Sequence, residues 1–106
     1  MLTKSDPIVV VRVALRIKPE MLESFQLQAE QESREVPQRF EGCQRYAFHA
    51  RVADAEAFLL YEEWSSRESF EAYRTSDYFN SVGARLRPML SAAPDSAYYS
   101  AERVGP

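Results

Sequence analysis

The sequence predicts an α+β domain: a four-stranded antiparallel sheet with helices on one face, in the order βαββαβ. Three observations predict it. Ile8–Ile17, Cys43–Arg51 and Ala57–Trp64 alternate with the two-residue period of strands. The Glu- and Gln-rich segment between the first two carries its apolar residues at helical spacing instead. The third run, Phe58-Leu59-Leu60-Tyr61-Glu62-Glu63-Trp64, is apolar on both faces, so helices must cover one and a partner subunit the other.

In the first strand Val9, Val11, Val13, Leu15 and Ile17 share a face, opposite Ile8, Val10, Arg12, Ala14 and Arg16. Pro19 suits the first turn of a helix, where its missing N–H would be unpaired anyway. Leu22, Phe25, Ala29 and Val36 then form a thin apolar stripe, and Pro37 is expected to end or kink that helix. Phe40-Glu41-Gly42 turns into the second strand, where Tyr46 and Phe48 point one way and Arg45, Ala47, His49 and Arg51 the other. Val52–Glu56 reads as a polar hairpin loop longer than two residues.

The third strand puts Phe58, Leu60, Glu62 and Trp64 on one side and Leu59, Tyr61 and Glu63 on the other. Ser65-Ser66-Arg67-Glu68 has capping-box spacing and opens a helix that turns Phe70 and Tyr73 inward. Ser76-Asp77 reads as a second cap, followed by the stripe Phe79, Val82, Leu86, Met89 and Leu90. Ala92-Ala93-Pro94-Asp95 is a linker, and Ser96–Val104 a last strand bearing Tyr98 and Tyr99. This order is the ferredoxin-like split βαβ arrangement, with its second helix in two pieces.

At 106 residues the chain is one domain, residues 8–104, behind a tail of residues 1–7. An apolar content of 45% supports a core. A net charge of −3 and a pI near 5.2 disfavour nucleic acid and anionic membranes, both of which need a basic footprint. RNA-recognition domains share the element order, but the third strand here has no glycine, no basic start and two acidic residues. The single cysteine excludes an intrachain disulfide and a thiolate zinc site. The apolar run at Ile8 meets Arg12 at once, far short of the roughly 20 residues a membrane span requires. With no signal-peptide pattern at the N-terminus, the expected location is the cytoplasm.

His49 is the only histidine and so a candidate general base. Glu62, on the Leu60 and Trp64 side of its strand, is the second: a buried carboxylate has a raised pKa and can act as base, or anchor Arg85 or Arg87. Trp64 can stack on a flat ligand or fill the core, with Phe70 beside it as a wall. Tyr73 and Tyr78 flank the junction of the two helical pieces, where their phenols could orient a substrate hydroxyl or simply line a rim. Arg12 and Arg16 could hold an anion or pair with Glu63 and Glu102. Cys43 reads as a small buried hydrophobe.

Several of these stretches together resemble the antibiotic biosynthesis monooxygenase family of dimeric α/β-barrel proteins, from about Ile8 to Val104. They are the Ile8–Val13 strand with Lys18-Pro19, Gly42-Cys43-x-Arg45-Tyr46-x-x-His49, Tyr61-Glu62-x-Trp64, the Ser66–Phe70 helix start and Ser76-x-x-Phe79. The resemblance implies a homodimer with sheets packed face to face. It also implies oxidation of a small phenolic or quinol-like aromatic by molecular oxygen without metal, flavin or haem. An electron-rich hydroxyaromatic, once deprotonated, can itself reduce oxygen, so a dry pocket, a base and aromatic walls suffice. Relatives that act on polycyclic phenols have Asn where this chain has Leu60 and Tyr where it has Phe70. Haem-degrading relatives have Asn, Trp and an axial His where it has Arg12, Tyr73 and Gly83. Glycine cannot ligate iron, so the resemblance does not extend to haem degradation. The alternative function is a non-catalytic dimeric module that binds a small ligand or serves an oxidative-stress role indirectly.

Overall fold

In the computed structural model, which describes residues 6–105, the alternating segments become the strands β1 (Ile8–Arg16), β2 (Cys43–Arg51), β3 (Asp54–Trp64) and β4 (Asp95–Ala101). They form one antiparallel sheet in the order β2-β3-β1-β4. The helices are α1 (Leu22–Arg39), α2 (Arg67–Arg74) and α3 (Asp77–Leu86), with short 3-10 turns at Pro19–Met21 and Arg87–Met89. The first five residues of the expected tail lie outside the described residues. Among the described residues no helix is long and apolar enough to cross a membrane.

Register decides what the helices meet. Tyr46 on β2 pairs with Glu62 on β3, Glu62 with Val11 on β1, and Val11 with Tyr98 on β4. The next row along the same face is Phe48, Leu60, Val13 and Ser96. Because side chains alternate, each row belongs wholly to one face. Glu62 therefore stands in the middle of the face the helices cover.

The buried core comprises Val9, Val11, Leu15, Tyr46, Leu60 and Trp64 from the sheet, Ile17 just past β1, Phe25, Ala29 and Val36 from α1, and Phe70 and Tyr73 from α2. Phe25 meets Phe48 edge-on at 5.7 Å and Phe58 at 4.7 Å, which docks the first half of α1. Trp64 stacks on Tyr73 at 4.9 Å and 21°, which docks α2. A ring burying roughly 150–250 Å² at about 25 cal/mol per Å² stabilises by about 4–6 kcal/mol before entropy is subtracted. This stack is accordingly the main fastening of a helix only eight residues long.

Four local expectations change. Pro37 does not end α1, because it lies in the last turn and Phe40 N–H still closes on Val36 C=O at 3.0 Å. The β2–β3 loop is only Val52-Ala53, with Ala53 at φ 66°. The capping box is one residue later than its spacing suggested. Ser66 is the N-cap, accepting from Ser69 N–H at 3.1 Å, and Ser69 Oγ, not Glu68, accepts from Ser66 N–H at 3.2 Å. The last strand stops at Ala101 rather than Val104. Ser76 does cap the second helical piece, accepting from Phe79 N–H at 3.1 Å.

Candidate functional site

Between the sheet and helices α2 and α3 lies a cavity of about 280 Å³. Its walls are apolar: Val11, Val13, Leu15 and Leu60 from the sheet, with Phe70, Phe79, Val82 and Leu86 from the helices. Arg74, Arg87 and Tyr98 also line it. Its polar side chains of interest are Glu62, Tyr46 and Tyr73, supplied by β3, β2 and α2. The break at Thr75 and Ser76 makes room for it. A continuous helix would carry Phe79 and Val82 along the axis of α2, whereas the new cap at Ser76 restarts the chain in another direction.

Glu62 is 4% exposed, and its carboxylate Oε1 accepts the indole N–H of Trp64 at 2.8 Å. Burial raises its pKa from 4.5 to about 7, against the effect of the indole hydrogen bond; the charge of Glu32 raises it further. A carboxylate poised near neutrality inside an apolar cavity is suited to taking a proton at physiological pH. The expected arginine anchor is replaced by Trp64, a donor that carries no charge and so leaves the pKa high.

Behind Tyr46 and Tyr73 lies a second buried carboxylate, Glu32 on α1, 3% exposed. It accepts Gln28 Nε2–H at 2.9 Å and Tyr46 O–H at 2.9 Å, and Tyr46 and Tyr73 meet hydroxyl to hydroxyl at 3.3 Å. Burial raises the Glu32 pKa, while these hydrogen bonds and the charge of Arg85 oppose the rise. Burial likewise pushes both tyrosines well above 10, so they stay protonated. Cys43, beside the Trp64 end of the strands, is pushed up to about 11 by burial and by the charge of Glu62.

The candidate residues divide. Glu62, Phe70 and Tyr73 come together around the cavity. Trp64 does not reach it: fully buried, it lies behind Glu62 as its hydrogen-bond donor. Tyr78 stands outside it as well. Its hydroxyl donates to Glu35 at 2.9 Å, its ring meets Phe40 at 5.9 Å, and burial with that bond pushes its pKa up to about 12. His49 is exposed on the other face of the sheet, paired with Leu59, in an open hollow shared with Arg12, Arg16 and Arg51. Strand alternation thus separates the two candidate bases by the thickness of the sheet. Arg16 pairs with Asp54 at 3.0 Å, Arg12 Nη1 donates to Tyr99 at 3.2 Å, and Glu63 faces Arg45 at 3.9 Å.

Glu32, Gln28 and Tyr46 escaped the sequence reading. A signal was present: Gln28 and Glu32 fill the gaps in the stripe Phe25, Ala29, Val36 at helical spacing.

Residues 8–85 match the family model for antibiotic biosynthesis monooxygenase. No curated protein matches the sequence. Among solved structures, a candidate antibiotic biosynthesis monooxygenase from Caulobacter crescentus superposes with a TM-score of 0.85 at 20% identity, over 94% of each chain. A conserved protein from Methanosarcina mazei gives 0.81 at 23% identity, over 91% of this chain and 94% of its own. A candidate monooxygenase from Deinococcus radiodurans gives 0.83 at 13% identity, over 92% and 96%. At such identities these structures show the shared fold.

Proposed function

The chain belongs to the antibiotic biosynthesis monooxygenase family, and we propose that it oxidises a small phenolic or quinol-type aromatic with molecular oxygen, using Glu62 as its base and no cofactor. The observation that carries this reading is Glu62 itself, a buried carboxylate with its pKa raised to about 7, aimed into an apolar cavity. The cavity supplies what such chemistry needs: aromatic walls in Phe70, Tyr73 and Phe79, and a mainly apolar lining.

For an anthrone-like phenol the balance is simple. Glu62 takes one proton from the ring system, and the resulting anion gives its electrons to oxygen. One oxygen atom replaces the two hydrogens of the ring methylene as a carbonyl; the other leaves with those hydrogens as water. A positioned base contributes ~10²–10⁴-fold to such a step. His49 has no place in this scheme within one protomer, since it lies across the sheet from the cavity.

The outer face of the sheet is the surface for a second copy of the chain. Val10, Ala47, Leu59 and Tyr61 are only half-buried there, and Tyr99 is 47% exposed. In a face-to-face dimer His49 and its arginines would lie at the interface.

Oxygen uptake by metal-stripped protein with hydroquinones and anthrone-like phenols tests the proposal. Uptake is expected, rising with pH through about 7 as Glu62 ionises, and lost in Glu62→Gln. No uptake with any of these compounds would overturn it. Thermal stabilisation by the same compounds without turnover would instead identify a binding module.

A further inference from the structure

The hydrogen-bond chain behind the cavity has a direction. Tyr46 has one hydroxyl hydrogen, and with Glu32 ionised that hydrogen goes to Glu32 Oε1 at 2.9 Å. The contact between Tyr46 and Tyr73 at 3.3 Å must then be made by the Tyr73 hydrogen. Both rings are nearly inaccessible, at 6% and 2% exposure, so bulk water does not compete for these groups. Tyr73 is left with oxygen lone pairs and no hydrogen to offer the cavity it lines.

We propose that Glu32 is a positioning residue of this site: acting through Tyr46, it holds Tyr73 as a hydrogen-bond acceptor, so that the cavity selects a ligand bearing a free hydroxyl over its ether or ketone counterpart. The inference rests on the preceding reading only in taking the cavity as the ligand site. Glu32 reaches no ligand itself; its charge sets the polarity of two tyrosines in series. Gln28 fixes the near end, because its Nε2–H occupies Glu32 Oε2 at 2.9 Å and also faces Val82 C=O at 3.5 Å.

Glutamine at position 32 reverses the chain without changing its shape. Gln28 offers a hydrogen, so the new amide must turn its oxygen toward Gln28 and its NH₂ toward Tyr46. Tyr46 then donates to Tyr73, and Tyr73 donates into the cavity. Protonation of Glu32 does the same in the native protein. The groups facing Glu32 are Gln28 and Glu35 on its own helix, Tyr46 on β2, Tyr73 on α2, Tyr78 and Arg85 on α3 and, further off, Glu62 on β3.

The test measures binding of 2-naphthol and of 2-methoxynaphthalene, the same ring system with and without a hydroxyl hydrogen, by fluorescence at pH 8. The ratio of the two affinities should fall roughly five- to tenfold in Glu32→Gln, the worth of one hydrogen bond. Tyr73→Phe should lower it similarly. In the native protein the ratio should fall further on acidification than in Glu32→Gln, where Glu62 alone is left to titrate at the cavity. A merely structural Glu32 would weaken both compounds alike. An unchanged ratio in both variants, or no saturable binding of either compound, would overturn the proposal. Selective naphthol binding without oxygen uptake would sink the oxygenase reading and leave this one standing; uptake with an unchanged ratio would do the reverse.

Discussion

Replacing Glu62 by Gln should stabilise the protein, and only above a definite pH. The folded chain raises the Glu62 pKa from 4.5 to about 7, chiefly through burial. For a raised carboxylate the sign is fixed: the fold favours the protonated form. Its contribution is therefore full below about 4.5 and is lost as pH rises through about 7. At 1.36 kcal/mol per pH unit this interval amounts to about 3 kcal/mol. Gln keeps the acceptor for Trp64 N–H but has no charge to desolvate. Its extra N–H₂ adds a cost of ~1–3 kcal/mol if unpaired, which does not vary with pH. The diagnostic is thus the difference in unfolding free energy between variant and native protein, from urea melts at half-unit steps between pH 4 and 8.5. That difference should be flat below pH 4.5 and should move by about 3 kcal/mol in favour of the variant by pH 8. In thermal melts each kcal/mol should appear as roughly 4–8 °C. A difference that stays constant across the range would show that Glu62 does not titrate in the fold with a raised pKa, and the case for it as a base would fall with it.

Gly42→Ala should destabilise by about 1–3 kcal/mol, because a methyl group there would overlap Ser69 Cβ and Oγ, which close the cap of α2; a denaturant midpoint equal to the native one would refute this. Leu59→Arg, in the middle of the outer sheet face opposite His49, should convert a sedimenting dimer to monomer while leaving the far-UV spectrum unchanged. A native protein that already sediments as a monomer would remove the dimer proposal.

The strands were legible because their signal is local: one apolar residue in two, with Glu62 conspicuous between Leu60 and Trp64. The split of the second helix was equally local, carried by the cap at Ser76, although the first cap was expected one residue before Ser66. The side of the sheet that bears the cavity was not legible. Both faces of β3 are apolar, so alternation told Glu62 from His49 by face but could not say which face the helices would choose. Trp64 and Tyr78 show a related limit. An aromatic residue reads the same whether it faces a cavity or backs a residue that does, and only the packed structure separates Trp64 behind Glu62 from Phe70 at the wall. Glu32 was hidden for another reason. In a helix as polar as α1, one inward carboxylate is lost among its solvated neighbours until its partner on β2 is in place.

Two buried carboxylates under one cavity would be a poor bargain if stability were their purpose, since apolar residues of the same shape commonly do as well or better. Their surroundings assign them different tasks. Glu32 receives two hydrogen bonds and faces Arg85, and each of these favours its charged form against burial. Glu62 receives one hydrogen bond, from an uncharged indole, and faces the charge of Glu32. In the first these groups oppose the rise that burial imposes, while the second is raised to about 7, the kind of difference in surroundings by which paired acids come to do separate work. The charge of ionised Glu32 also keeps Glu62 ready to bind a proton, because neutralising Glu32 would remove part of what raises the Glu62 pKa. Glu32→Gln should therefore act on the site twice, reversing the polarity of Tyr73 and shifting the pH midpoint of oxygen uptake downward. A variant that moved the naphthol ratio but not that midpoint would show that the two carboxylates are joined only through the tyrosines.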